Sequence, residues 1–128
     1  ILRGEVPSHK VWEDAATIAI LDVMPQSDGH TLIIPKTPAE NLFDLDTGMA
    51  EAVMRTGQRL ALAVLRAFHP DGVTLMQFNG AEAGQTVFHF HIHVLPRFND
   101  DKLLPFWPAS SPSREALDAM AERLRTVI

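Results

Sequence analysis

Three histidines alternate with apolar residues in the run His89-Phe90-His91-Ile92-His93-Val94-Leu95-Pro96-Arg97. A neutral imidazole is a good nucleophile toward phosphorus, and neighbouring imidazoles can carry a proton near neutral pH. Packed together, such rings titrate as a coupled set, so one stays neutral while another is cationic. That combination suits attack on a phosphate. His91, the middle ring, would be the neutral nucleophile, with one or two cationic rings donating to the oxygens and the leaving group. A β-strand is the element that must carry them. Its side chains alternate between faces, which predicts His89, His91 and His93 in a row on one face. Phe90, Ile92 and Val94 then pack into a core on the other, and Pro96 ends the strand.

The loop Gly80-Ala81-Glu82-Ala83-Gly84-Gln85-Thr86 runs straight into the histidines. Gly84 permits close approach of backbone N–H groups to a phosphate, and Thr86 adds a hydroxyl donor. Such a loop could equally be a plain strand connection; its position before the triad gives it weight. His30 follows Gly29 at a strand start, where a lone histidine is more often structural than catalytic. Asp22 ends an apolar strand, and its carboxylate would either accept two ribose hydroxyls or start a turn. His9 and His69 have no companions and receive no role.

The elements that position these residues read as an α+β domain. Lys10-Val11-Trp12-Glu13 and Thr17-Ile18-Ala19-Ile20-Leu21-Asp22 suggest a hairpin across Asp14-Ala15. Pro25-Gln26-Ser27-Asp28-Gly29 is a loop by turn chemistry, and His30-Thr31-Leu32-Ile33-Ile34 is a third strand ended by Pro35. A helical turn is expected near Asn41-Leu42-Phe43. A long helix, capped by Asp46 or Thr47, runs to about Phe68 with Met49, Val53, Gly57, Leu60, Val64 and Phe68 on one face. Pro70-Asp71-Gly72 stops it, and Val73–Asn79 is a fourth strand. An irregular stretch follows Pro96, through Pro105, Trp107 and Pro108. Ser111-Pro112-Ser113 opens a last helix striped by Leu117, Met120, Leu124 and Val127. The sum is an antiparallel sheet of about five strands with helices against one face.

The 128 residues suit one domain, and 46% hydrophobic with 21% charged residues is an ordinary globular composition. A net charge of −5 argues against a general nucleic-acid binder, which needs a basic face. A small phosphate ligand would have to be held locally, by backbone N–H groups and histidines. No apolar run is long enough to span a membrane, and residues 1–5 have no signal-peptide layout, so a cytoplasmic address is expected. The absence of cysteine removes disulfides and cysteine metal sites.

His-Phe-His-Ile-His-Val-Leu resembles the His-φ-His-φ-His-φ-φ signature (φ apolar) of the histidine-triad, or HIT, superfamily. Three further blocks are similar to that family in order: Ile1 to Lys10, Leu21-Asp22 through Gly29-His30-Thr31-Leu32-Ile33-Ile34-Pro35-Lys36, and Ala83-Gly84-Gln85-Thr86-Val87-Phe88. The resemblance implies an α+β HIT-like fold with one long helix and a C-terminal helix, its sheet extended across a homodimer. It implies a hydrolase that attacks the α-phosphate of purine nucleotides through a nucleotidyl-histidine intermediate. Phosphoramidates, acyl-adenylates and dinucleoside polyphosphates all present that phosphate.

Residue by residue, the resemblance makes His91 the nucleophile, oriented by the backbone carbonyl of His89. His93 and His30 would line the phosphate site. Asn79, Gly84 and Thr86 would hold the phosphate or leaving group, with Gln85 in the same loop. Asp22 would bind the ribose hydroxyls, and Ile20 and Val23 would lie beside the purine. Selectivity would lie in the loop from Phe98 to Trp107 and in the dimer partner. No cofactor is implied beyond Mg²⁺ arriving with polyphosphate substrates. Many bacterial members bind a structural zinc through Cys-x-x-Cys and two histidines. Here there is no cysteine, and one histidine position falls near Pro38, so His89 alone of those ligands remains and no metal is expected. The transferase branch has glutamine where this chain has His93, which favours the hydrolases.

Two other readings compete. A zinc-dependent hydrolase would use two strand histidines and His30 with an open position, yet no carboxylate stands beside the triad in sequence to orient them. A non-catalytic nucleotide-binding or interaction module would not need His30, His91, His93 and Thr86 all intact.

Overall fold

The computed structural model describes residues 9–103 and 109–128. Residues 1–8 of the block Ile1 to Lys10 and the stretch at Pro105, Trp107 and Pro108 lie outside the described residues. Among the described residues, five strands and two α-helices follow in the order β1 (Lys10–Glu13), β2 (Thr17–Leu21), β3 (Thr31–Pro35), α1 (Thr47–Phe68), β4 (Gly72–Met76), β5 (Ile92–Arg97) and α2 (Arg114–Arg125). The strands form one antiparallel sheet in the order β1-β2-β3-β5-β4. The α+β class expected from the sequence is the one observed.

Local chemistry explains the boundaries. The Asp14 carboxylate turns β1 into β2 by accepting the N–H groups of Ala16 at 2.9 Å and Thr17 at 2.8 Å. Asp46 caps α1 by accepting from the Met49 N–H at 3.3 Å. The helix ends where His69 turns left-handed, at φ 52°, with its N–H still bonded to Leu65 O. A short 3₁₀ turn at Leu42–Asp44 is held by a capping box between Asn41 and Asp44.

The sheet has two different faces. α1 lays Val53, Leu60 and Val64 against Ala19, Ile33, Phe90, Ile92 and Val94. Each such aliphatic side chain, buried, contributes about 1.5–3 kcal/mol. The buried Thr17 and Thr56 hydroxyls satisfy each other at 2.7 Å across that interface. The opposite face holds Ile18, Ile20 and Ile34 beside Leu32. His93 is the cross-strand partner of Leu32 and so belongs to this second face, while its neighbour Ile92 pairs with Ile33 on the α1 side.

Three expectations need correction. β5 begins at Ile92, not His89: the Phe90 N–H donates to Ala39 O at 2.8 Å, which draws the chain before Ile92 toward the loop after β3. Pro96 does not stop the strand, because β3 pairs only with Ile92–Val94 and leaves β5 a local edge where proline is tolerated. Finally, among the described residues only α1 of the two helices packs on the sheet. No residue of α2 is buried, and Leu117, Met120 and Leu124 are 51%, 45% and 61% exposed.

Gly29 deserves separate mention, because the loop it closes reaches the histidines. Its φ is +87°, and an added Cβ would lie 2.8 Å from the Phe68 ring and 3.3 Å from Pro96. Gly29→Ala is expected to lower stability by about 1–2 kcal/mol from backbone strain alone, before any cost of moving Phe68. A urea midpoint indistinguishable from that of the parent protein would contradict this.

Candidate active site

His91 and His93 are the two triad rings that share a face, edge to face with centroids 5.0 Å apart. The His91 Nδ1–H donates to the carbonyl of His89 at 2.8 Å. A carbonyl can only accept, so in the neutral ring the proton sits on Nδ1 and Nε2 keeps the lone pair. His89 itself stands outside the strand and turns away from this pair. Its Nε2–H donates to Pro35 O at 3.1 Å, tying the triad segment to the end of β3. The expected row of three imidazoles is therefore a row of two.

His30 comes from the start of β3, beside β5. Its Nε2 lies 2.9 Å from His93 Nδ1 and 3.6 Å from the Asp22 carboxylate. Its Nδ1 accepts the backbone N–H of Gln26 at 3.1 Å. At 2% exposure with both nitrogens engaged, His30 has no atom left to line a phosphate site; it backs His93 instead. The Phe78 ring packs edge-on against His93 at 5.6 Å. Burial, followed by the neighbouring His91 and His30, pushes the His93 pKa down to about 4, against the opposing pull of Asp22. Burial lowers that of His30 as well. The cationic donors expected from the sequence are thus absent from the free site at neutral pH: His93 is a neutral ring there, and can donate only as a neutral N–H.

The remaining candidates divide. Asp22 does lie beside the histidines; its Oδ1 accepts the Met24 N–H at 2.9 Å, and its Oδ2 faces His30. Its contact with His30 depends on β2 and β3 being neighbours. Val23 is 75% exposed, whereas Ile20, at 3%, is sealed in the second cluster and offers a base almost no surface. Asn79 and Gln85 are braces. The Asn79 and Gln77 side-chain amides pair reciprocally at 2.7 Å, and Asn79 Oδ1 also accepts the Leu42 N–H at 2.7 Å. Gln85 is buried, accepts from Gly80 N–H at 2.7 Å and donates to Glu40 O at 2.7 Å. These bonds shape the loop and leave Gly84, at φ +101°, and Thr86 on its exposed side. Gly84 meets the site through Phe78, which an added Cβ would approach at 3.5 Å. Phe78 and the Gln26 backbone were missed from sequence. Alternation gives a signal for the first, since Met76 is the cross-strand partner of His93 and Phe78 lies two residues on.

Among the described residues, Asp22, His30 and His93 are the one set whose ligand atoms gather closely enough for a metal ion, within 4.8 Å of one another. The donor chemistry does not fit. A histidine that binds metal through Nε2 carries its proton on Nδ1 and presents it to an acceptor. His30 Nδ1 instead faces the Gln26 N–H, itself a donor.

A half-open antiparallel sheet, one imidazole with a free Nε2 and a second imidazole buried behind its neighbour define a histidine-cluster protein of α+β build. The chain belongs to the HIT family: the HIT domain model matches residues 3–100. It is 40% identical over 98 residues to protein hit of Bacillus subtilis, covering 77% of this chain and 68% of that protein. It is 33% identical over 129 residues to adenosine 5'-monophosphoramidase hnt1 of Schizosaccharomyces pombe, covering 100% and 94%. A crystal structure of a HIT family protein from Bacillus anthracis superposes with a TM-score of 0.94 at 33% identity, covering 100% of this chain and 93% of that one.

The depressed His93 has a consequence for stability. Above pH 6.5 the ring is neutral whether the chain is folded or not, and it adds no pH dependence. As pH falls from 6.5 toward 4 the unfolded chain binds a proton that the fold refuses, so stability drops. The loss approaches about 1.4 kcal/mol per pH unit in that window, less whatever solvent reaches the ring. The strongly depressed carboxylates Glu13 and Asp14, near 2, titrate below it. Urea midpoints should therefore fall between pH 7 and pH 5, and His93→Gln should flatten most of that fall. A His93→Gln profile parallel to the parent's would show that other groups carry it.

Proposed function

We propose that the protein hydrolyses purine nucleotides at the α-phosphate through a nucleotidyl-histidine intermediate on His91. One observation carries the reading: His91 is held by its Nδ1–H, so its Nε2 lone pair is free on a half-exposed ring beside a second imidazole. The Nε2 lone pair forms the N–P bond while the bond from phosphorus to the leaving group breaks, and the leaving group departs with that electron pair and takes up a proton. Positive charge that builds on the ring is shared with Nδ1–H, whose bond to the His89 carbonyl then strengthens. Water next attacks phosphorus and loses a proton, and the N–P pair returns to Nε2. Gly84 and Thr86 offer donors for the phosphate oxygens, Asp22 Oδ2 an acceptor for ribose hydroxyls, and Val23 an apolar surface for the base. The reaction needs no metal from the protein; polyphosphate substrates would bring Mg²⁺. The fission-yeast relative's name, adenosine 5'-monophosphoramidase, agrees with this chemistry.

A cavity of about 480 Å³ adjoins His93 by way of Phe78 and Gln26 and runs over Leu95 to Arg97. Among the described residues that line it, Arg97 is the one cation. That guanidinium is already spent on Asp101 at 2.8 Å, Leu103 O at 3.2 Å and Thr74 Oγ1 at 3.3 Å. A leaving polyphosphate would meet no free positive charge there, whereas an apolar amine would find Leu75 and Met76. Phosphoramidates are therefore the favoured substrates. His91→Ala is expected to lose turnover of an adenosine phosphoramidate by about 10³-fold or more while nucleotide affinity stays within a few fold. Near-parent turnover would remove His91 as nucleophile, and faster cleavage of a diadenosine polyphosphate would reverse the leaving-group preference.

The second copy of a homodimer, with the sheet extended across the pair, would cover apolar surface that one chain leaves open. α1 and the edge strand β4 border a groove of about 850 Å³ that includes Ala50, Met54, Ala61 and Leu75, and Met54 is 53% exposed. Sedimentation should show a dimer at micromolar concentration that Met54→Glu weakens at least tenfold. A monomeric parent chain would end this part of the reading.

A further inference from the structure

The geometry points to the backbone N–H of Gln26 as the group that fixes where the protons of the His30–His93 pair sit. A neutral imidazole has one N–H and one lone pair, and the pair offers two ways to share them. The Gln26 N–H can only donate, and it points at His30 Nδ1 from 3.1 Å. That nitrogen must therefore hold the lone pair, and the His30 proton must sit on Nε2. From there it is donated to His93 Nδ1 at 2.9 Å. His93 in turn must carry its proton on Nε2, the nitrogen not occupied by His30. The opposite arrangement would set the His30 Nδ1–H against the Gln26 N–H, two donors face to face in a buried place.

The surroundings support one sense only. The Asp22 carboxylate, 3.6 Å from His30 Nε2, favours a proton on that nitrogen. His91, on the other side of His93, has its own Nδ1–H committed to the His89 carbonyl. The loop that carries Gln26 is fastened on several sides. The Ser27 hydroxyl donates to Pro96 O at 2.6 Å, the His30 N–H donates to Ser27 O at 3.2 Å, and the Thr31 hydroxyl donates to Gly29 O at 2.8 Å. Gly29 lies flat against Phe68 and Pro96 where no side chain would fit. Gln26 is thus a positioning residue through its peptide group. The two rings of the row are left complementary: a lone pair on His91 Nε2 and an N–H on His93 Nε2.

The consequence for turnover rests on the reading of His91 as nucleophile; the proton positions do not. Long-range ¹H–¹⁵N spectra of the parent protein at pH 7.5 test the positions directly. His30 and His93 should both appear protonated on Nε2 and His91 on Nδ1. Couplings should cross the two hydrogen bonds, from the Gln26 amide nitrogen to His30 Nδ1 and from His30 Nε2 to His93 Nδ1. A protonated His30 Nδ1, or a missing Gln26–His30 coupling, overturns the proposal whatever the enzyme turns over. Gln26→Ala keeps the peptide N–H and should keep the tautomers of the parent. Gln26→Pro, which deletes the N–H, should give mixed tautomers at His30 and His93 and lower kcat by about three- to tenfold, the scale of one neutral hydrogen bond. Unmixed tautomers in a folded Gln26→Pro variant would overturn it too. Unchanged tautomers in the parent beside an inactive panel would spare this proposal and sink the hydrolase reading instead.

Discussion

Two imidazoles 63 residues apart meet at 2.9 Å in a nearly dry place, and much of the architecture exists to make that meeting possible. His30 precedes β3 and His93 lies on β5, so the contact requires these strands to be neighbours although α1 and β4 separate them in sequence. The register is equally constrained. Leu32 opposite His93 and Ile33 opposite Ile92 put the imidazole on one face and the isoleucines under α1. A slip of one residue would exchange the faces, burying His93 among Val53, Leu60 and Val64 and exposing Ile92. The hydrophobic core helps enforce the site's geometry, because a one-residue slip costs several buried aliphatic side chains.

Such a pair can be buried only if it is neutral and fully bonded. An imidazole nitrogen left without a partner in this setting would cost about 1–3 kcal/mol. Each nitrogen of His30 has one, and the bonds come from different parts of the chain: a loop peptide on one side and a strand histidine on the other. Burial then lowers both pKa values, which keeps the pair neutral and the bonds intact. The cost falls at acid pH, when the unfolded chain takes up protons that the fold cannot accommodate. Reactive polarity and stability are coupled through the same two rings.

How much of this was legible in the sequence depended on range. Alternation in Ile92-His93-Val94 and the 3.6-residue spacing of Val53, Gly57, Leu60 and Val64 are local signals, and the strand and helix they imply are present. Turn chemistry placed Asp14, Asp46 and the loop before His30 correctly for the same reason. The failures are all matters of tertiary context. His89 shares the triad's spacing, yet a loop contact at Phe90 takes it out of the strand. Pro96 reads as a stop until the early end of the β3 pairing is known. Asn79 and Gln85 are polar residues near a loop, and nothing local distinguishes an amide that binds phosphate from one that ties a turn to Leu42 or Glu40. The α2 stripe predicts a buried face without saying whose surface buries it.

His89 serves the site without joining the row of rings. Its imidazole is a single strut, donating to the Pro35 carbonyl at the end of β3. That strut matters because the His89 carbonyl is the acceptor for His91 Nδ1–H. The hydrogen bond to Pro35 fixes that peptide by tethering its side chain. The three histidines therefore divide the work by what each nitrogen faces. His89 holds the backbone, His91 keeps a lone pair because that backbone takes its proton, and His93 keeps an N–H because His30 has filled its other nitrogen.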